Sequence, residues 1–154
     1  MTIFRCIASV VLATLVASFS LVAFAADGLV AVKSPHSVAD TATRLVAVLQ
    51  ERGLKLFARV DHAGGAASTN QKLRPTEVLI FGNPQGGTPF MVCQQSVGID
   101  LPLKALVWQD ESGQVWFGYN DPAWIAARHS ANACPVVPSL TKALAGLAAA
   151  ATAP

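Results

Sequence analysis

Metal-ligand spacing is missing from this chain. Its three histidines and three cysteines include no CxxC and no close Cys/His cluster, so a zinc site of the usual kind is not expected. Charge is scarce as well. Only 13% of residues are charged, with 11 basic against 9 acidic. The basic ones form no stripe, which argues against nucleic acid as a partner. No stretch matches a specific catalytic or cofactor motif, so no cofactor is assigned.

What is abundant is apolar sequence, and its first block has a separate purpose. Arg5 precedes an uncharged run from Cys6 to Val22, closed by Ala23-Phe24-Ala25. A positive start, an apolar run and a small-x-small end make a cleavable secretory signal over residues 1–25. An uncleaved membrane anchor is the alternative, since the run is nearly long enough to span a bilayer. Cleavage leaves residues 26–154 as a single α+β domain with an alanine-rich C-terminal helix and tail, and no stable membrane anchor. The expected location is periplasmic or secreted. Export also leaves two cysteines, Cys93 and Cys134. An oxidising compartment permits them to pair, while two buried free thiols remain the other reading.

Along the mature segment, "GLVAVKS" (Gly28–Ser34) reads as a first strand. Ser37 is a helix N-cap, and Val38, Ala42, Leu45 and Leu49 form one helical face that Gly53 ends. Leu54–Asp61 alternates as a second strand. A short helical turn or a mobile loop follows His62. "TEVLIFGNP" (Thr76–Pro84) is apolar enough for Val78–Phe81 to be covered on both faces. A short helix is expected around Pro89–Ser96. Leu103–Gln109 and Val115–Tyr119 are the arms of a hairpin turning at Asp110–Gly113, with Trp108 and Trp116 placed to pair across it. Asp121-Pro122 starts another helix. "SLTKALAGLAAAA" is the last, and its alanine-rich end is expected to fray. The economical architecture is α+β, with helices packed on one face of a mainly antiparallel sheet.

Several linked segments also resemble one family. "DHA" (Asp61–Ala63), "LRPTEVLIFGNPQGGTP" (Leu73–Pro89), "GIDLPLKALVWQDESGQVW" (Gly98–Trp116) and "YNDPAWIAARH" (Tyr119–His129) are similar to the bacterial domain of unknown function 302 family. The resemblance covers about residues 28–130. It implies a β-α-β(4)-α fold of the TATA-binding-protein-like type, without implying DNA binding. It supplies no activity.

Four residues stand out as ligand-binding candidates. His62 ends the second strand, where an imidazole can serve as base, acid or ligand, or simply tie down a loop. His129 closes a helix whose dipole favours a cation there. Paired with His62 and one of Asp100 or Asp121, it would make a two-histidine, one-carboxylate site. Asp100 caps a turn, salt-bridges Lys104 or Arg59, or faces a ligand. Tyr119 lines a pocket or fills the core. His36, beside Pro35, is expected to be exposed. The leading functional expectation is a periplasmic small-ligand or metal binding or accessory module, its partner unidentified. The rivals are an enzyme with His62 as general base, and a protein-interaction module. A homodimer is also left open.

Overall fold

The computed structural model describes residues 26–154. The expected signal segment lies outside the described residues. The chain runs β1 (Leu29–Ser34), α1 (Val38–Glu51), β2 (Lys55–Asp61), α2 (His62–Ser68), β3 (Thr76–Gly82) and α3 (Pro84–Cys93). A 3-10 turn (Gln95–Ile99) leads into β4 (Leu103–Gln109), β5 (Val115–Asn120), α4 (Pro122–Arg128) and α5 (Val137–Ala151). The five strands form one sheet in the order β1-β5-β4-β3-β2, and every pairing is antiparallel. The two strands joined by α1 are thus the two edges.

Strand alternation decides the core. Leu79 and Phe81 of β3, Ala105 and Val107 of β4, and Val115, Phe117 and Tyr119 of β5 point to one face and are buried. Against them lie Val38, Ala42, Leu45 and Leu49 of α1, the face expected from their spacing, together with Leu144, Leu147, Ala148 and Ala151 of α5. Ser37 caps α1 by accepting from the Asp40 N–H. Among the described residues, no layer of helices covers the opposite face. Val78 and Ile80 are therefore only half-buried, and the expectation that β3 is covered on both faces is corrected.

A second cluster sits at one end of the sheet. Phe90 of α3, Val97, Ile125 and Ala126 of α4, and Cys134, Val137 and Leu140 pack together there. A disulfide joins Cys93 to Cys134 with the Cα atoms 5.9 Å apart, which resolves the open alternative in favour of pairing. It fastens the end of α3 to the segment between α4 and α5.

Two helical expectations change. The helix expected near Pro89–Ser96 begins at Pro84, because Asn83 accepts from the Gly86 N–H at 2.8 Å and Pro84 takes the first helical position, where no N–H is needed. The C-terminal end does not fray. Ala148, Ala151 and Thr152 are buried, and the Ala153 carbonyl accepts from Arg44 at 2.7 Å and His36 Nε2–H at 2.6 Å. His36 is accordingly half-buried rather than exposed.

The hairpin forms as expected. Trp108 and Trp116 stack with ring centroids 6.4 Å apart. Its turn is organised by Asp110, whose carboxylate accepts from the Trp116 indole N–H at 2.7 Å and from Ser112 and Gln114. The indole hydrogen bond, then that from Ser112, holds the Asp110 carboxyl down at about 2. A depressed carboxylate pKa favours the fold above the ordinary carboxylate range and loses that contribution as pH falls towards the folded value. Stability is therefore expected to decline between about pH 4 and about pH 2, and Asp110→Asn is expected to flatten that limb. Thermal melts across the interval check it.

Gly118 faces the side without helices. A Cβ there would stand 2.7 Å from Trp108 Cζ3 and 3.2 Å from Leu29 Cδ1, so the indole lies flat over β5 only because residue 118 has no side chain. Gly118→Ala is expected to cost about 1–3 kcal/mol through overpacking, read as a lower melting temperature with altered tryptophan emission.

Candidate functional site

The strand directions sort the candidate residues. The end of β2 at Asp61 pairs with Glu77 at the start of β3, and Thr76 pairs with Trp108 at the end of β4. Asp100 lies before β4, whose start pairs with the end of β3 through Leu103 and Phe81. His129 follows α4, which leaves the end of β5. His62 is consequently at the opposite end of the sheet from Asp100 and His129, about 20 Å away along a seven-residue strand. It is exposed at the first position of α2, and Asp61 caps that helix by accepting from the Gly64 N–H at 2.8 Å. The alternative of a two-histidine, one-carboxylate site does not assemble, and a general base at His62 has neither His129 nor Asp100 to support it. Among the described residues, no group of three His, Cys, Asp or Glu side chains is placed to hold a metal ion.

The other three candidates gather at one end. His129 Nε2–H donates to Asp100 Oδ2 at 2.7 Å, with only 9% and 12% of the two side chains exposed. Arg128 donates to Asp100 Oδ1 at 3.0 Å. On the other side of the imidazole, Nδ1 is 2.9 Å from the Ser96 hydroxyl. With Nε2 donating to the carboxylate, a neutral ring accepts at Nδ1 from Ser96. Asp100 thus ties the entry to β4 to the end of α4. Arg128 and Ser96 carry no signal of this role in the sequence, because both lie in short elements whose docking depends on tertiary packing. Of the alternatives for Asp100, pairing with Lys104 is not the one formed, because the Lys104 ammonium donates to the Asp100 and Pro102 carbonyls at 3.2 and 3.1 Å.

Asp100 and Tyr119 both border a cavity of about 230 Å³, with Lys104, Asn120, Ile125 and the apolar side chains of Leu29, Val78 and Leu106. Tyr119 is buried. Burial, then the Asp121 charge, raises its phenol above the ordinary value, so it stays neutral and offers a hydroxyl. Asp100 offers less to a ligand, since Arg128 and His129 already occupy its oxygens.

A larger cavity of about 360 Å³ lies beside the end of β3, between α3 and α5. Phe57, Phe81, Met91, Leu101, Leu140 and Leu144 are among its walls, and none of the described residues that line it is charged. The polar side chains at its border are Asn83 and Thr88, and the Asn83 oxygen is engaged in capping α3. Gly86 and Gly87 help form the space. A Cβ at Gly86 would lie 3.5 Å from Leu140 Cδ2, and one at Gly87 would lie 3.6 Å from Leu101 Cδ1. Those are ordinary van der Waals separations, so a methyl group at either position would fit by taking up cavity volume. Phe57 and Met91 remain 49% and 36% exposed, so apolar surface reaches the entrance. A cavity of this size with apolar walls and few polar groups suits a small organic molecule.

Known proteins agree with this architecture. A crystal structure described as that of an uncharacterized conserved protein DUF302 from Bacillus stearothermophilus superimposes with a TM-score of 0.73 at 21% identity, covering 80% of this chain and 97% of that one. That likeness concerns the fold. Curated relatives named "Fluoride-specific ion channel FluC 1", from Brucella suis biovar 1 (strain 1330) and Brucella abortus biovar 1 (strain 9-941), are 52% identical over 104 residues. The matches cover 68% of this chain but 41% and 38% of those proteins. The chain spans about two fifths of the length of the curated relatives it matches. The family model "Domain of unknown function DUF302" matches residues 30–147, and the chain belongs to that family.

Proposed function

We propose that this domain is an exported binding or accessory module that holds a small apolar molecule in the cavity between α3 and α5. The observation that carries the reading is the cavity itself: about 360 Å³, walled by apolar side chains, with no charge among the described residues that line it. Space of that size accepts roughly ten to fifteen non-hydrogen atoms, taking each as about water-sized. Affinity comes from removing apolar area from water, about 25 cal/mol per Å², and selectivity from shape. This moves the proposed ligand away from His62 and away from a metal. Asp100, His129 and Tyr119 brace the adjoining end of the sheet, and Asp100 and Tyr119 border the smaller cavity.

Export is supported by the apolar N-terminal run ending in Ala23-Phe24-Ala25 and by the Cys93–Cys134 disulfide, which suits an oxidising compartment. In the Brucella relatives the shared segment accompanies a protein named as a fluoride channel. Among the described residues here, no helix is long and apolar enough to cross a membrane. An accessory role beside such a channel is therefore the form the reading takes for those proteins.

Organic extraction of the protein purified from its native host, followed by mass spectrometry, tests the ligand. The expected result is one apolar species at near-equal molar ratio to protein. Recovery of a bound metal with no organic species would contradict the reading.

A further inference from the structure

The face of the sheet turned away from α1 and α5 has a central row that is apolar from edge to edge. Strand register aligns Ala31, Gly118, Leu106, Val78 and Val60 in one row across all five strands. The next row contains Lys33, Trp116, Trp108 and Thr76, and the row on the other side brings Leu29 beside Asn120 and Lys104 beside Ile80 and Ala58. Ala31, Leu106, Val78, Trp108 and Trp116 are half-buried, and Val60 is 39% exposed. Apolar sheet faces of this extent are ordinarily covered.

We propose that a second copy of this chain covers the face, forming a two-sheet sandwich. Area is the first argument. At ordinary strand spacings the face is about 24 Å wide and about 20 Å long. Pairing two copies buries about 1,000 Å² in all, the lower bound for a specific interface. Charge is the second. Lys33 and Lys104 are the charged residues in these rows, and neither ammonium projects freely from the sheet. Lys33 Nζ lies over the Trp116 ring, 5.5 Å from its centroid, and Lys104 donates to the Asp100 and Pro102 carbonyls. Both also sit towards the margins, on an edge strand and at a strand end. The centre is left uncharged, as an identical apolar surface requires and as an anionic membrane does not. The pairing is isologous, each central row facing its own copy. The modest area makes it reversible, with dissociation in the micromolar range.

Sedimentation equilibrium of the purified, exported chain across concentrations up to about 0.1 mM tests this. The expected result is a shift from one to two chain masses as concentration rises, with acrylamide quenching of tryptophan falling in step. Leu106→Lys is expected to weaken the dimer at least about 100-fold by burying unpaired charge, while Ala47→Lys on the exposed side of α1 leaves it intact. Far-UV circular dichroism confirms that the Leu106 variant folds; if it does not, Val60→Lys at the edge gives the same reading with less risk to the fold. A single chain mass at every concentration overturns the proposal, as does dimerisation unchanged in Leu106→Lys or Val60→Lys. So does a monomer that co-sediments with phosphatidylglycerol vesicles, which would assign the face to lipid.

Discussion

Replacing both Cys93 and Cys134 by serine is expected to lower the unfolding free energy by about 3–4 kcal/mol. The bridge closes a loop between residues 41 positions apart, and closing a loop of that length removes conformational entropy from the unfolded chain by about this amount. For a domain of this size the melting temperature should fall by about 10–15 °C. The effect is expected to be uneven. The bridge holds α3 against the segment leading to α5, and those two helices wall the larger cavity. Hydrogen exchange in α3 should therefore accelerate more than exchange in β3 and β4, which are held by ladders on both sides. A uniform rise in exchange would show that the bridge acts only through the unfolded chain.

Asp100→Ala is the second large effect. The carboxylate is 12% exposed and receives two charge-assisted contacts. Its removal strands His129 Nε2, whose side chain is only 9% exposed, and is expected to cost about 2–4 kcal/mol. Arg128 is half-exposed and contributes little of that. A double-mutant cycle between Asp100→Ala and His129→Ala should return a coupling of about 1 kcal/mol or more. Asp100→Asn keeps an oxygen for the His129 N–H and should recover part of the loss. Equal losses in the asparagine and alanine variants would place the role of Asp100 elsewhere.

Much of the fold is readable because period and punctuation agree. Val38, Ala42, Leu45 and Leu49 repeat at helical spacing between Ser37 and Gly53, and α1 buries that stripe. The hairpin is legible from Asp110–Gly113 between alternating arms. β3 misleads, because an apolar run reads the same whether covered on both faces or left half-open; only the side on which α1 and α5 pack distinguishes them. The alanine-rich end misleads for a related reason, since the docking of Ala153 by Arg44 and His36 is a contact across more than a hundred residues. The candidate site is legible only in part. Asp100, Tyr119 and His129 do share one end of the sheet. His62 does not, because a residue's place after a strand says nothing about which end of the sheet that strand's end occupies. The larger cavity is invisible in the sequence, since glycines that leave room and apolar side chains that line it look like core in a linear reading.

The central claim is that the space between α3 and α5 receives an apolar molecule. The most direct measurement is titration of the purified chain with a neutral lipophilic fluorophore small enough for the space, such as 1-aminonaphthalene, alongside Ala143→Phe, which fills the cavity from the exposed side of α5. Saturable binding at one site per chain is expected, weakened at least about tenfold in the variant, a loss of about 1.4 kcal/mol, with little change in melting temperature. Equal binding by the two proteins, or none by the parent chain, would contradict the claim.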